Sequence, residues 1–174
     1  MFGFFKRKST SGDFDWLSSF QTNHYLDPIY LNDLNGTRTD DPEIQAALDR
    51  MVDLACLGAS LAKVQAVMAS RSGNPANLWE LGYVFGCLDA HKILLWGVKD
   101  FCRSFFHCGL MSYYGNTDAA RTGLTNIGIA ITRNDPEFKS GASTGKSDAT
   151  KMISEGSVPS GLMRFFKTQG KPAV

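Results

Sequence analysis

Two short apolar runs enclose a polar stretch and an amphipathic segment near the middle of the chain. The first run, residues 64–69, is partly β-branched, and the polar stretch that follows it, residues 70–77, contains glycine and proline. A short apolar run that ends at turn-forming residues predicts a buried strand that leads into a loop. The second run, residues 93–96, predicts another buried strand.

The segment between these runs has the pattern of a helix that faces a core. Asn74 is a suitable N-cap, Pro75 suits the first helical position, and the helix is predicted to end near His91. Its apolar residues fall on one face: Leu81, Val84, Phe85 and Leu88. Gly82 and Gly86 leave a stripe without side chains, on which a strand or a substrate could approach closely. Strand, loop, helix and strand together predict one crossover unit of a parallel α/β sheet, in which ligands bind at the carboxyl ends of the strands.

Further elements are predicted around this unit. A helix over residues 41–61, with Pro42 in its first turn, is expected to cover the sheet. The other predictions are a short helix near residues 14–20, strands at 29–31 and 127–132, a loop at 109–123, a polar mobile connector at 139–161 and a terminal helix at 162–166. The chain thus divides into an N-terminal tail (1–12), an α/β catalytic domain (13–135) and a connector with a C-terminal helix (136–174).

Composition limits the class of partner. The chain has 174 residues, enough for one domain, and its net charge of +1 gives no argument for a nucleic-acid surface. A small-molecule ligand is therefore expected. The sequence shows no apolar run of membrane-spanning length, and its N-terminus places aromatic residues before basic ones, unlike a secretory signal. A cytoplasmic protein without membrane contact is expected.

The cysteines indicate neither disulfides nor a metal site. Cys56, Cys87, Cys102 and Cys108 contain no Cys-x-x-Cys pair, and three of them lie in predicted helices or apolar surroundings. Cys102, His107 and Cys108 lack a fourth partner at ligand spacing. Reduced, structural cysteines are expected, without a metal or another cofactor.

Glu80 is the acidic residue that lies nearest the start of the predicted helix. It lies about one and a half turns into the helix and next to Leu81, so its carboxyl group is expected to be partly buried. The positive end of the helix dipole favours the ionised form, whereas burial opposes ionisation. The position fits a reactive carboxylate, and it also fits a residue that only complements the dipole.

Residues 79–86 read Trp-Glu-Leu-Gly-Tyr-Val-Phe-Gly, and the second apolar run follows shortly after them. This segment resembles the Glu-Leu-Gly-Tyr-Ala segment and following strand of the nucleoside 2-deoxyribosyltransferase family, which related nucleotide N-glycosidases share. The resemblance implies a flavodoxin-like three-layer α/β sandwich with a mainly parallel sheet. It also implies that Glu80 attacks the anomeric carbon of the sugar and expels the base, and a carboxylate can form such a covalent glycosyl-enzyme.

Two shorter segments extend the resemblance. Residues 31–36 resemble a family segment whose aspartate binds and protonates the leaving base, which implies that role for Asp33. An alternative alignment starts the fold at residues 29–31 and places Tyr30 near the pocket instead. Residues 108–112 resemble a segment in which a neighbouring subunit completes the pocket, which implies a homo-oligomer that shares Met111. The aromatic residues around Met111 fit either such an interface or the core of one subunit.

The loop before the glutamate departs from the family pattern. The family usually has an aspartate or serine there, in contact with a sugar hydroxyl or a phosphate. This chain offers Ser70, Ser72, Asn74 and Asn77 for those contacts, and Tyr83 is expected to orient the site.

These observations lead to one expected function and two alternatives. We expect an enzyme that breaks or exchanges the N-glycosidic bond of a nucleoside or nucleotide, with Glu80 as the nucleophile and no cofactor. Cleavage of the nicotinamide bond of NAD is an alternative, because the same chemistry serves any N-riboside. A nucleotide-binding or sensing module without turnover is the other alternative, since the loop aspartate is missing and Gly109 replaces a family asparagine.

Overall fold

All regular secondary structure is helical in the part of the chain that the computed structural model describes, residues 42–99 and 101–169. The helices are α1 (Pro42–Met68), α2 (Leu78–His91), α3 (Arg103–Tyr114), α4 (Thr117–Arg133), α5 (Pro136–Glu155) and α6 (Gly161–Gln169), and a π-helical turn, Lys92–Trp96, extends α2. No strand occurs within these ranges. The predicted flavodoxin-like α/β sandwich is therefore wrong. The N-terminal tail and the elements predicted at residues 14–20 and 29–31 lie outside the described residues.

The first predicted strand, residues 64–69, contributes the last turns of α1 instead. Gln65 and Ala66 are buried, whereas Val64, Val67 and Met68 are exposed. This spacing continues a helical row of small buried residues: Ala55, Ala59, Ala62 and Ala66. A close-packed alanine face along α1 thus outweighs the modest preference of valine for strands. The helix predicted over residues 41–61 is confirmed, and it extends further.

The other two predicted strands that fall within the described residues, 93–96 and 127–132, are also helical. Residues 93–96 lie in the π-helical turn, which ends at Gly97 with a φ of 79°. Buried Lys92 donates hydrogen bonds to the carbonyl oxygens of Val98 and Lys99, both at 3.1 Å, and so satisfies the backbone after the turn. Residues 127–132 lie within α4, where Ile127 and Ala130 are buried on one face.

Residues 139–161, predicted to be a mobile connector, fold mostly as α5. Asp135 caps this helix by accepting a hydrogen bond from the amide of Phe138 at 2.9 Å, and Pro136 occupies the first turn. Gly156, with a φ of 67°, ends it. The polar composition of α5 suggested a loop, but the helix packs along α2, and the predicted terminal helix is confirmed as α6.

Glycines on both helices bring α2 and α5 together. Adding a β-carbon at any of four glycines would overlap a backbone carbonyl oxygen of the facing helix. The overlaps are Gly82 with Phe138, Gly86 with Ala142, Gly141 with Trp79 and Gly145 with Tyr83. The close approach predicted for Gly82 and Gly86 is thus made by a helix, not by a strand or a substrate. It fixes the start of α2, where Glu80 lies.

Candidate functional site

Glu80 is held in the first turn of α2 by a cap on its backbone. The side-chain oxygen of Asn77 accepts a hydrogen bond from the Glu80 amide at 3.0 Å, so Asn77 is the N-cap. The predicted cap, Asn74, lies before the helix, where its side chain accepts from the amide of Ala76 at 3.0 Å. Both asparagines suit a cap, and only the packing of α2 selects the second.

The carboxyl group of Glu80 is enclosed by the protein. Its Oε1 atom accepts one hydrogen bond from the Asn74 amide at 2.8 Å and another from the Tyr113 hydroxyl at 2.9 Å. Only 1% of the residue surface is exposed. Burial raises the pKa of the Glu80 carboxyl above its ordinary value, and the two hydrogen bonds oppose that rise. Glu80 was predicted to be partly buried, and the structure buries it almost completely.

Residues 70–77, which we call the strap, cover this carboxyl group. Gly73 lies directly on the rings of Tyr113 and Tyr114, where a β-carbon would come within 2.6 Å and 2.8 Å of ring atoms. Asn126 of α4 donates a hydrogen bond to the carbonyl oxygen of Pro75 at 2.9 Å. The strap is thus attached to three helices, through Glu80, through the tyrosines and through Asn126.

Two tyrosines complete what we call the Glu80 cluster, which consists of Asn74, Glu80, Tyr113 and Tyr114. The Tyr114 hydroxyl oxygen is buried and has no hydrogen-bond partner among the described residues. Burial is the main reason that the pKa values of both tyrosines are raised, and the nearby Glu80 charge raises them further. Both hydroxyls therefore stay protonated near neutral pH.

The remaining predicted site residues do not join this cluster. Ser70 and Ser72 lie exposed on the strap, and Ser70 has a left-handed φ of 54°. Met111 is partly buried against the core of its own subunit. Asp33 and Tyr30 lie outside the described residues.

Tyr83 belongs to a separate polar network that holds α6. Its hydroxyl donates to Oδ2 of Asp148 at 2.8 Å and accepts from the amide side chain of Gln65 at 2.7 Å. Asp148 also accepts from the Gly161 amide at 2.8 Å, and Gln65 accepts from the Leu162 amide at 3.1 Å. Tyr83 thus helps to satisfy the first amides of α6 and does not orient Glu80.

Sequence reasoning missed Tyr113, Tyr114 and Asn126 as neighbours of the Glu80 region. The only local signal was an adjacent tyrosine pair before Gly115, at the end of an otherwise apolar segment. Tyrosine often places its ring in a core and its hydroxyl on a polar partner. The partner lies 33 residues away in the sequence, so its identity depends on how α3 packs.

One cavity adjoins the start of α2 on another side. It has a volume of about 320 Å³ and is lined by Ala76, Asn77, Leu78, Trp79, Glu137, Phe165 and Gln169. Glu80 does not line it. With the strap in place, a substrate therefore cannot reach the Glu80 carboxyl group through this cavity.

A second surface feature lies on α1. Four large apolar side chains on one side of this helix are exposed: Leu57 by 48%, Val64 by 57%, Val67 by 68% and Met68 by 67%. We call these four residues the α1 ridge. Leu48–Met68 is long and apolar enough to cross a membrane by length and composition alone, but the same helix packs against α2 and α3.

The cysteines and the comparisons add no further site. All four cysteines are free thiols, and the described ranges contain no group of three or more histidine, cysteine, aspartate or glutamate side chains able to hold a metal. No family model matches the chain, and neither the curated proteins nor the solved structures include a significant match to it.

Proposed function

We propose that this chain is a helical protein-binding module and that the α1 ridge is its docking surface. The observation that carries this proposal is the exposure of four large apolar side chains on one side of α1. Val64, Val67 and Met68 are neighbours at spacings of three and four residues, and exposed apolar side chains that cluster in this way can form an interaction site, whereas isolated ones are common on protein surfaces.

The ridge suits a partner helix. Leu57, Val64 and Met68 are seven and four residues apart and therefore lie on one helical face, over a length of about 16 Å. A partner with an amphipathic helix can lay its apolar side along such a row.

The charges near the ridge define the partner further. Asp53 lies one turn before Leu57, and Lys63 and Arg71 lie near the other end. All three residues are exposed. A matching helix carries a basic residue towards Asp53 and an acidic residue towards Arg71. Charges at the rim of an interface set orientation more than affinity.

The size of the ridge favours a transient contact. Four partly exposed side chains offer a few hundred Å², less than the roughly 800 Å² per partner that a stable interface buries. A second copy of this chain bound through the ridge alone would therefore dissociate readily.

The test is selection of helical peptides from a phage-displayed library on the immobilised full chain. We expect enrichment of amphipathic helices that bind with micromolar affinity. Val64→Lys should weaken their binding at least tenfold, because it places a charge in the apolar contact. The matched control is Val158→Lys, since Val158 is 89% exposed but is not part of the ridge.

Two parallel measurements test whether the ridge binds a second copy of the chain or a lipid surface instead. Light scattering detects a second copy, and flotation with liposomes detects a lipid surface. Failure to select ridge-dependent peptides would contradict the proposal. So would peptide binding that Val64→Lys and Val158→Lys reduce equally.

Cleavage or exchange of an N-glycosidic bond is a second candidate function. The Glu80 cluster favours it, because a carboxylate that a tyrosine hydroxyl holds in place can serve as the nucleophile in glycosyl transfer. Its burial opposes it, since a nucleophile must reach the anomeric carbon and the strap closes that route. Catalysis at Glu80 therefore requires the strap to open.

Mass spectrometry after incubation with nucleosides, nucleotides and NAD tests this second candidate and the NAD-cleaving alternative together. Turnover that falls about a thousandfold or more in Glu80→Gln, but not in the exposed control Glu155→Gln, would support a catalytic carboxylate. Absence of both turnover and a covalent adduct across the panel would exclude it.

A further inference from the structure

We propose that the strap opens and closes over Tyr113 and Tyr114, and that the charge on Glu80 sets the balance between the two states. This conformational control is built into residues 70–77 and the Glu80 cluster, and it is independent of docking at the α1 ridge.

Few contacts hold the strap closed. The Asn74 amide binds Glu80, Asn126 binds the Pro75 carbonyl, and Gly73 lies on the tyrosine rings. Arg71, Ser72, Asn74 and Ala76 are exposed. A segment with few buried apolar contacts opens at a smaller free-energy cost than the core.

The ends of the strap are suited to a local movement. It starts at Ser70, whose φ of 54° is uncommon for a residue other than glycine. It ends at Asn77, which is fixed as the cap of α2. Opening can thus occur between these two points without unfolding either helix.

Glu80 couples this movement to pH. In the closed state, burial raises the pKa of its carboxyl group, whereas an open strap lets water reach the group and returns the pKa towards the ordinary value. The closed state consequently binds the proton more tightly. Acidification favours closure, and a rise in pH through the raised pKa favours opening.

The groups recorded around the Glu80 carboxyl do not change charge between its ordinary pKa and its raised pKa, so Glu80 is the group that titrates there. From α3, Tyr113 and Tyr114 face it, and their raised pKa values keep both neutral. The strap contributes the Asn74 amide, which donates to the carboxyl group. One proton therefore links strap opening to pH.

The test is amide hydrogen exchange of Asn74 in the full chain, followed by NMR and corrected for the intrinsic pH dependence of exchange. In the wild-type chain, protection should fall as pH rises above the ordinary glutamate pKa, by at most tenfold per pH unit because one proton is involved. Glu80→Gln keeps an oxygen acceptor without the charge, so its protection should not change with pH in this range.

Asn126→Ala provides a variant that leaves the charge in place. It removes the anchor on Pro75 and should lower Asn74 protection at every pH while retaining the pH dependence. Thr122→Ala, at an exposed position of α4, is the matched control. Protection equal to that of core amides at all pH values would overturn the proposal. An equal pH dependence in the wild-type chain and in Glu80→Gln would overturn it as well.

If Glu80→Gln does not fold, Tyr113→Phe replaces it. This variant keeps the ring under Gly73 and removes one donor to the carboxylate. Opening at pH 8 should then increase, because the buried charge has lost a hydrogen bond. Unchanged protection in Tyr113→Phe would contradict the proposed role of Glu80.

Discussion

At the scale of single residues, Glu80 shows what a local pattern can and cannot predict. Its place beside the apolar face of α2 predicted burial, and the structure confirms it. Its partner, Tyr113, could not be predicted, because a contact between α2 and α3 depends on tertiary packing. The cap was misplaced by three residues for a similar reason, since Asn74 and Asn77 have the same capping chemistry.

Glu80 should lower the stability of the folded chain when it is ionised. Because its pKa is raised on folding, the folded state holds the proton more tightly than the unfolded state. The penalty is absent below the unfolded pKa and complete above the raised pKa. The change in thermal midpoint caused by Glu80→Gln should therefore be more favourable at pH 8, where the wild-type carboxylate is ionised, than at pH 4.5.

Thermal unfolding followed by circular dichroism over this pH range provides the measurement. The control is Glu155→Gln, because Glu155 is exposed and its replacement should change the midpoint little at either pH. A midpoint that falls in Glu80→Gln at pH 8 would show that the ionised carboxylate stabilises the fold, contrary to this prediction.

At the scale of elements, short apolar runs were the main source of error. Residues 64–69 and 93–96 each suit a buried strand, and a run of this length does not distinguish a strand from a buried helical turn. The alanine row of α1 offered the decisive signal, because its spacing continues through Ala62 and Ala66. The long periodic helices, α1 and α2, were predicted correctly apart from their ends.

The helix α5 was missed because its buried face consists largely of glycine. Gly141 and Gly145 are buried by contact with α2, but neither adds to a hydrophobic pattern. A helix that packs through backbone contact therefore looks like a polar linker in the sequence. The recognisable signal was that two segments each have a pair of glycines four residues apart. The pairs are Gly82 with Gly86 and Gly141 with Gly145, and this spacing permits close helix packing.

Paired glycine substitutions should separate backbone contact from helix propensity. Gly145→Ala places a β-carbon against the Tyr83 carbonyl and should destabilise the fold by about 3 kcal/mol, because α2 and α5 must move apart. Gly128→Ala meets no atom within 4 Å on α4 and should stabilise it by about 0.5–1 kcal/mol. Urea unfolding measures both values. Equal effects in the two variants would mean that the α2–α5 contact tolerates a methyl group.

At the scale of the whole molecule, the eight-residue resemblance at residues 79–86 did not extend to the fold. In this chain the segment lies in α2, as predicted, but α2 continues into the π-helical turn Lys92–Trp96 and not into a strand. A short segment specifies local chemistry, whereas function requires a site that the whole fold builds. The proposal of binding at the α1 ridge therefore rests on the exposed side chains of α1 and on the burial of Glu80, and not on the resemblance.

Assembly is the property of the whole molecule on which the two proposed functions differ most. The family resemblance implies a homo-oligomer that shares Met111, whereas three aromatic residues near Met111 are buried in the core of their own subunit. Those buried in this way are Phe105, Phe106 and Tyr113. Together with the small area of the ridge, this favours a monomer, and we expect light scattering at micromolar concentration to give the chain mass of 19.1 kDa. A stable dimer that Met111→Glu dissociates, and that Val64→Lys leaves intact, would instead favour a shared site beside α3.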